Sequence, residues 1–154
     1  MTYLVVKWLH VLSSTLLFGT GLGSAYYMFF VSRTRDAHAV AVVSRQLVRA
    51  DWIFTATTVV FQPFSGLYLV HLANIPLTSR WIVASFALYF VAGACWLPVV
   101  WMQIRMRNMA AMASVGNTPL PELYWTYLGR WTLLGVPAFV ALIAVFWLMI
   151  AKPA

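Results

Sequence analysis

Lys7 and His10 stand one helical turn apart at the start of "KWLHVLSSTLLFGTGLGSAYYMFF", a stretch from Lys7 to Phe30 that is apolar enough to cross a bilayer. An ionisable group at membrane depth is costly and marks a functional site by default. A neutral imidazole there has the chemistry of an axial ligand to haem iron or of a metal ligand. The blander role is a core histidine bonded to Ser14 or to a neighbouring carbonyl.

A second histidine, His71, lies about one turn from the end of the next apolar run, while His10 lies about two turns into the first. With the chain crossing twice between them, both finish near the same face. Two histidines at similar depth on neighbouring helices have the spacing to clamp one haem b. Lys7, a turn nearer the surface, is then placed to pair with a propionate, and Arg80, which opens the third run, is placed likewise. Haem suits this set better than zinc, because no acid or thiol joins the histidines at that depth. The polar stripe Thr55, Thr58, Gln62 and Ser65 leaves His71 out, pointing about 180° from Gln62, unless a kink at Pro63 re-aims the helix end. Met149, near the end of the last run, is the alternative axial partner, and His/Met ligation is ordinary chemistry.

Other candidates carry less. Met102, Met106, Met109 and Met112 repeat at helical spacing; thioethers select Cu(I), but such a row is more often packing. His38, beside Asp36, reads as solvated, and Asp51 as a cap for the second run. Lys7, His10, Ser14, Gly21, Ser24 and Met28 share one helical face, and Gly19 and Gly23 form a GxxxG pair suited to close helix packing. No nucleophile–base pair, phosphate-binding loop or paired carboxylate is present, so hydrolase and ATP-driven chemistry have no support.

The elements that must position these groups follow from composition. The 154 residues are 63% hydrophobic and only 8% charged, against about 25% charged in a soluble domain. This is the composition of an integral membrane protein, expected as one domain over residues 1–154. Four apolar segments, roughly 4–30, 52–73, 81–102 and 128–150, each meet the length of about 20 residues that a spanning helix needs. In lipid the backbone must satisfy itself, so they are helices, and short links favour an all-α, up-down four-helix bundle. The net charge of +7 sits between the runs, where it meets lipid headgroups and fixes topology, and does not suggest nucleic acid. Arg33, Arg35, Arg45 and Arg49 fill one long link; Arg105 and Arg107 fill the other, with Arg130 just beyond. The positive-inside rule puts these links in the cytoplasm and both termini in the periplasm of a bacterial inner membrane. The first run is too long for a signal peptide and lacks a small-residue cleavage site. A lone Cys95 excludes an internal disulfide.

The terminal stretches "YLVVKWLHVLSSTLLFGTGLGSAYYM" and "RWTLLGVPAFVALIAVFWLMIAKPA" resemble an uncharacterised bacterial family of small four-helix membrane proteins. More distantly, the chain resembles HemJ-type protoporphyrinogen oxidases and CopD-type copper-resistance membrane domains. The shared features are Lys7-x-x-His10, Pro63-x-x-Gly66, Arg130, Val136-Pro137 and Lys152-Pro153. The HemJ-type resemblance implies a tetrapyrrole near His10. Where that group carries Asn-Glu before the Val-Pro, this chain has Leu134-Gly135; its third helix also lacks that group's lysine and histidine.

The expectation is a haem b protein of the inner membrane, with His10 as one axial ligand and His71 or Met149 opposite. Lys7 and Arg80 meet the propionates. The role is electron transfer or redox support of a larger assembly, as a homo-oligomer or with a partner subunit. The alternatives are a HemJ-like oxidase, a CopD-like copper protein and a cofactor-free structural subunit.

Overall fold

The computed structural model describes residues 1–153. Helix α1 runs Thr2–Arg33 and α2 runs Ala37–Ala50; α2 passes through a π-helical turn, Asp51–Thr55, into α3, Ala56–Leu72. Helices α4, Arg80–Val115, and α5, Glu122–Ala151, complete the chain. Because α2, the π turn and α3 form one rod, Ala37–Leu72, four helices are long and apolar enough to cross a membrane. Pairs such as His10–Ser65, Tyr89–Val59 and Gln103–Trp131 show neighbouring rods running antiparallel. The bundle is therefore up-down, with both termini at one end and most arginines at the other.

The helices exceed the expected boundaries, chiefly at the arginine end. The segment expected as a link before residue 52 is helical from Ala37, and α4 continues from about residue 102 to Val115. At ~1.5 Å per residue a 36-residue rod is about 54 Å long, against about 30 Å of hydrocarbon. The excess forms a foot beyond the apolar spans. Its sequence is amphipathic in the ordinary soluble way: Val40, Ala41, Ser44, Leu47 and Val48 are buried at three-four spacing. Arg45 and Arg49 point outward.

Asp36 caps α2, its carboxylate accepting from the N–H groups of His38 (2.8 Å) and Ala39 (3.2 Å). Asp36→Ala is expected to lower stability by ~1 kcal/mol, and Asp36→Asn to restore most of it, read as thermal unfolding in detergent. Asp51 is not a cap. It lies in mid-rod at the π turn, 8% exposed, and turns inward. One carboxylate oxygen accepts from Thr55 Oγ1 (3.0 Å) and Ser24 Oγ (3.4 Å), and the other from Gln103 Nε2 (2.5 Å). Gln103 Oε1 in turn accepts from Trp131 Nε1 at 3.2 Å. All four rods meet in this knot.

Below the knot the foot is closely packed around Met28, Met102, Met106, Tyr124 and Leu128. Tyr124 is fully buried, with its hydroxyl 2.6 Å from Ser32 Oγ. The Ser32 proton goes to Met28 O, so Tyr124 donates. The methionine row divides here. Met102 and Met106 sit inside the core, whereas Met112 is 75% exposed, which is the packing pattern of an amphipathic helix rather than a chain of thioethers in one environment.

Above the knot the bundle splays. There α3 packs on α1, while α4 stays paired with α5. Large apolar side chains such as Phe64, Phe90, Leu133 and Trp147 face outward, where lipid covers them. At Gly19, Gly21 and Gly23 a Cβ would meet no other element within 4 Å, so these glycines serve no close packing inside the chain.

Candidate functional site

The splay leaves a cavity of about 730 Å³ between the α1/α3 pair and the α4/α5 pair, open toward the termini end. Ligand pockets typically measure about 300–1,000 Å³, mostly apolar with a few placed polar groups. The walls fit that description. Leu17, Phe18, Val70, Ile82 and Phe86 are among the apolar lining, and its charged heads come from Lys7 on α1 and Lys152 just past α5.

His10 is the polar centre of the α1 wall. It is 8% exposed, and its Nδ1 lies 2.7 Å from Ser65 Oγ. The Ser65 hydroxyl has one hydrogen, and its geometry commits that hydrogen backward along α3, to Phe61 O at 2.8 Å or Gln62 O at 3.2 Å. With that hydrogen placed on the α3 carbonyls, Ser65 Oγ accepts and the ring proton is assigned to Nδ1. Nε2 keeps its lone pair and has no protein partner among the described residues. This is the tautomer, with its orienting partner, that metal-binding histidines use. Two further contacts fix the ring. Gln62 Nε2 donates to His10 O at 3.0 Å, holding the α1 backbone against α3. A Cβ on Gly66 would lie 3.4 Å from His10 Cε1, so the ring rests against a residue with no side chain.

Around His10, Lys7 and Ser14 extend the α1 wall, and Met149 lies on the α5 wall of the same cavity. Lys152 joins it at the mouth in a left-handed backbone conformation (φ 42°), its Nζ 5.9 Å from the Trp81 ring centroid. Lys7 Nζ stands 5.9 Å from the Tyr3 ring centroid. Two cations thus flank the mouth, held over aromatic faces.

The structure brings together Lys7, His10 and Met149 and leaves out His71 and Arg80. His71 is exposed in the last turn of α3 and does not line the cavity, although Val70 and Ala73 beside it do. Pro63 sits inside α3, and His71 nonetheless stays out of the cavity lining. Arg80 is exposed at the first residue of α4 and likewise faces away. His38 is exposed, with Nδ1 3.1 Å from Ser114 Oγ in the foot. Sequence reasoning noted Lys152 only as part of Lys152-Pro153, two residues past the last apolar run, and did not place it at the site. It also missed the pairing of the Gln62/Ser65 stripe with His10, whose signal was two polar stripes on consecutive antiparallel helices.

A family model described as "Predicted integral membrane protein (DUF2269)" matches residues 4–153. No curated protein and no solved structure matches the chain.

Proposed function

Since the chain belongs to the DUF2269 family of integral membrane proteins, we propose that it binds haem b in the splayed half of the bundle and serves electron transfer or redox support within a larger assembly of the bacterial inner membrane. The observation that carries this reading is the buried His10 imidazole, its Nδ1 held 2.7 Å from Ser65 Oγ and its ring lining a cavity of about 730 Å³, so that Nε2 is the nitrogen left for a ligand. His10 would hold the iron, and Met149, on the α5 wall of the same cavity, would be the second candidate ligand. The apolar walls exclude water from the macrocycle. Lys7 and Lys152, at the mouth, would meet its two carboxylates. Bound haem supplies a one-electron redox centre. By the positive-inside rule the arginine-rich foot lies in the cytoplasm and the mouth faces the periplasm.

The test is a reduced-minus-oxidised absorption spectrum of the detergent-purified protein from haem-replete cells. The expected result is a haem b spectrum at close to one haem per chain. A flat spectrum from folded protein overturns the reading.

A further inference from the structure

We propose that the cavity is loaded sideways from the lipid phase, through the slit between α3 and α4, by an amphipathic ligand dissolved in the bilayer. The proposal rests on the cavity being a ligand site; it adds the route and the phase from which the ligand comes.

Three observations assign the route. First, the two gaps between helix pairs differ. The α1/α5 gap is clasped by Phe18, stacked on Phe139 with centroids 4.4 Å apart and tilted against Phe146 at 5.4 Å. The α3/α4 gap has no such clasp: α3 packs on α1 and on the π turn, and its side-chain link to α4 is the bond from the Tyr89 hydroxyl to Val59 O, 2.6 Å, at the floor of the slit. Second, charge is segregated. Lys7 lies on α1 and Lys152 just past the end of α5, whereas the α3 and α4 walls carry no charged residue. A ligand entering between α3 and α4 passes uncharged walls that include Leu69, Val70, Ile82 and Phe86. A ligand from water must instead pass the two lysine heads with its apolar body leading. Third, the slit lies within the apolar spans, where lipid is the surrounding solvent. An apolar ligand concentrates there in proportion to its buried carbon. The lysines opposite the slit then act as the terminus for an anionic edge that has crossed the cavity.

The first arm needs no cofactor. Cys95, the only cysteine, is replaced by serine. Ser85→Cys on the α4 wall, or Ser14→Cys on the α1 wall if the first misfolds, then reports on the interior in liposomes. One maleimide is tethered within the acyl region of a phospholipid; the other is charged and confined to water. Labelling by the lipid-borne reagent is expected to be more than about tenfold faster, in keeping with partition into the bilayer. Removing the floor bond with Tyr89→Phe should raise that rate further while leaving the aqueous rate unchanged. Faster labelling from water, or no labelling of either variant, overturns the proposal. A second arm offers haem b already dissolved in the liposomes, with apomyoglobin outside as an aqueous scavenger. Uptake that survives the scavenger supports the route, and uptake abolished by it overturns the route. Lipid-phase labelling without haem uptake from either side leaves the portal standing and removes haem as its cargo.

Discussion

On the haem reading, His10→Ala is expected to give a folded protein that purifies without haem, whereas Ser65→Ala and Met149→Leu are expected still to take it up with altered properties. The size of the first effect follows from its chemistry. The imidazole Nε2 is the one lone-pair nitrogen presented to the cavity by a side chain already oriented for ligation. Its loss removes an iron bond outright, so affinity should fall by more than the ~100-fold that bounds loss of an orienting partner. Ser65→Ala keeps the ring but frees Nδ1–H. Affinity should fall by about tenfold, at the lower end of the same range, and the reduction potential should shift as the tautomer loses its anchor. Met149→Leu conserves volume and removes the thioether, so the haem stays while the low-spin His/Met signature goes. Titrating haem into apoprotein and recording potentials checks all three. A His10→Ala protein that retains a wild-type spectrum would sink the assignment. Purely structural importance predicts another pattern, in which all three variants lose melting temperature in proportion and none loses haem selectively.

The largest effect on stability is expected at Asp51. Asp51→Ala leaves the Gln103 amide, Thr55 and Ser24 donors without their acceptor in the interior. An unsatisfied buried donor costs about 1–3 kcal/mol, so a loss of about 3 kcal/mol is expected, read as detergent-denaturant unfolding. Asp51→Asn is informative because it is nearly isosteric and should still fail. Gln103 is polarised from both sides, its NH₂ toward Asp51 and its oxygen toward the Trp131 N–H. An asparagine that keeps its oxygen on Thr55 and Ser24 turns its own NH₂ toward Gln103. Flipping the Gln103 amide relieves that clash and sets NH₂ against the indole N–H. Trp131→Phe removes the second conflict, so the double variant should be less destabilised than the sum of the singles, by about 1 kcal/mol of coupling. Additive effects would show that the knot is not one network.

Much of this was legible in the sequence where a single physical cause dominates. The four apolar runs had to become helices because lipid offers the backbone no partner. His10 stood out because an ionisable group in such a run needs a reason. What stayed hidden depends on how rods meet. Hydropathy ended the second helix near residue 52 because Arg45 and Arg49 dilute the average, although the spacing of Val40, Ser44 and Leu47 already described a buried face. An acid before an apolar run looks like a cap, so Asp51 was assigned to a helix start; the extra residue of a π turn leaves no compositional mark. His71 and His10 share depth but not direction, and depth alone can be counted along a chain. The cavity exists only because α3 leaves α4 for α1, a fact of packing that no single helix carries.

The π turn at Asp51–Thr55 has a bearing on which changes this chain can accept as it diverges. Such a turn is one residue inserted into an α-helix, and each residue advances the helix by about 100°. That one residue sets the phase between α2, which faces α4, and α3, which turns Gln62 and Ser65 toward His10. A deletion there, even of a lipid-facing residue such as Ile53, would leave the rod helical and equally apolar while swinging the whole polar row off its partner. Side chains along this segment can drift among similar sizes, but its residue count cannot. The arithmetic of the segment, more than its chemistry, is what inheritance has to preserve.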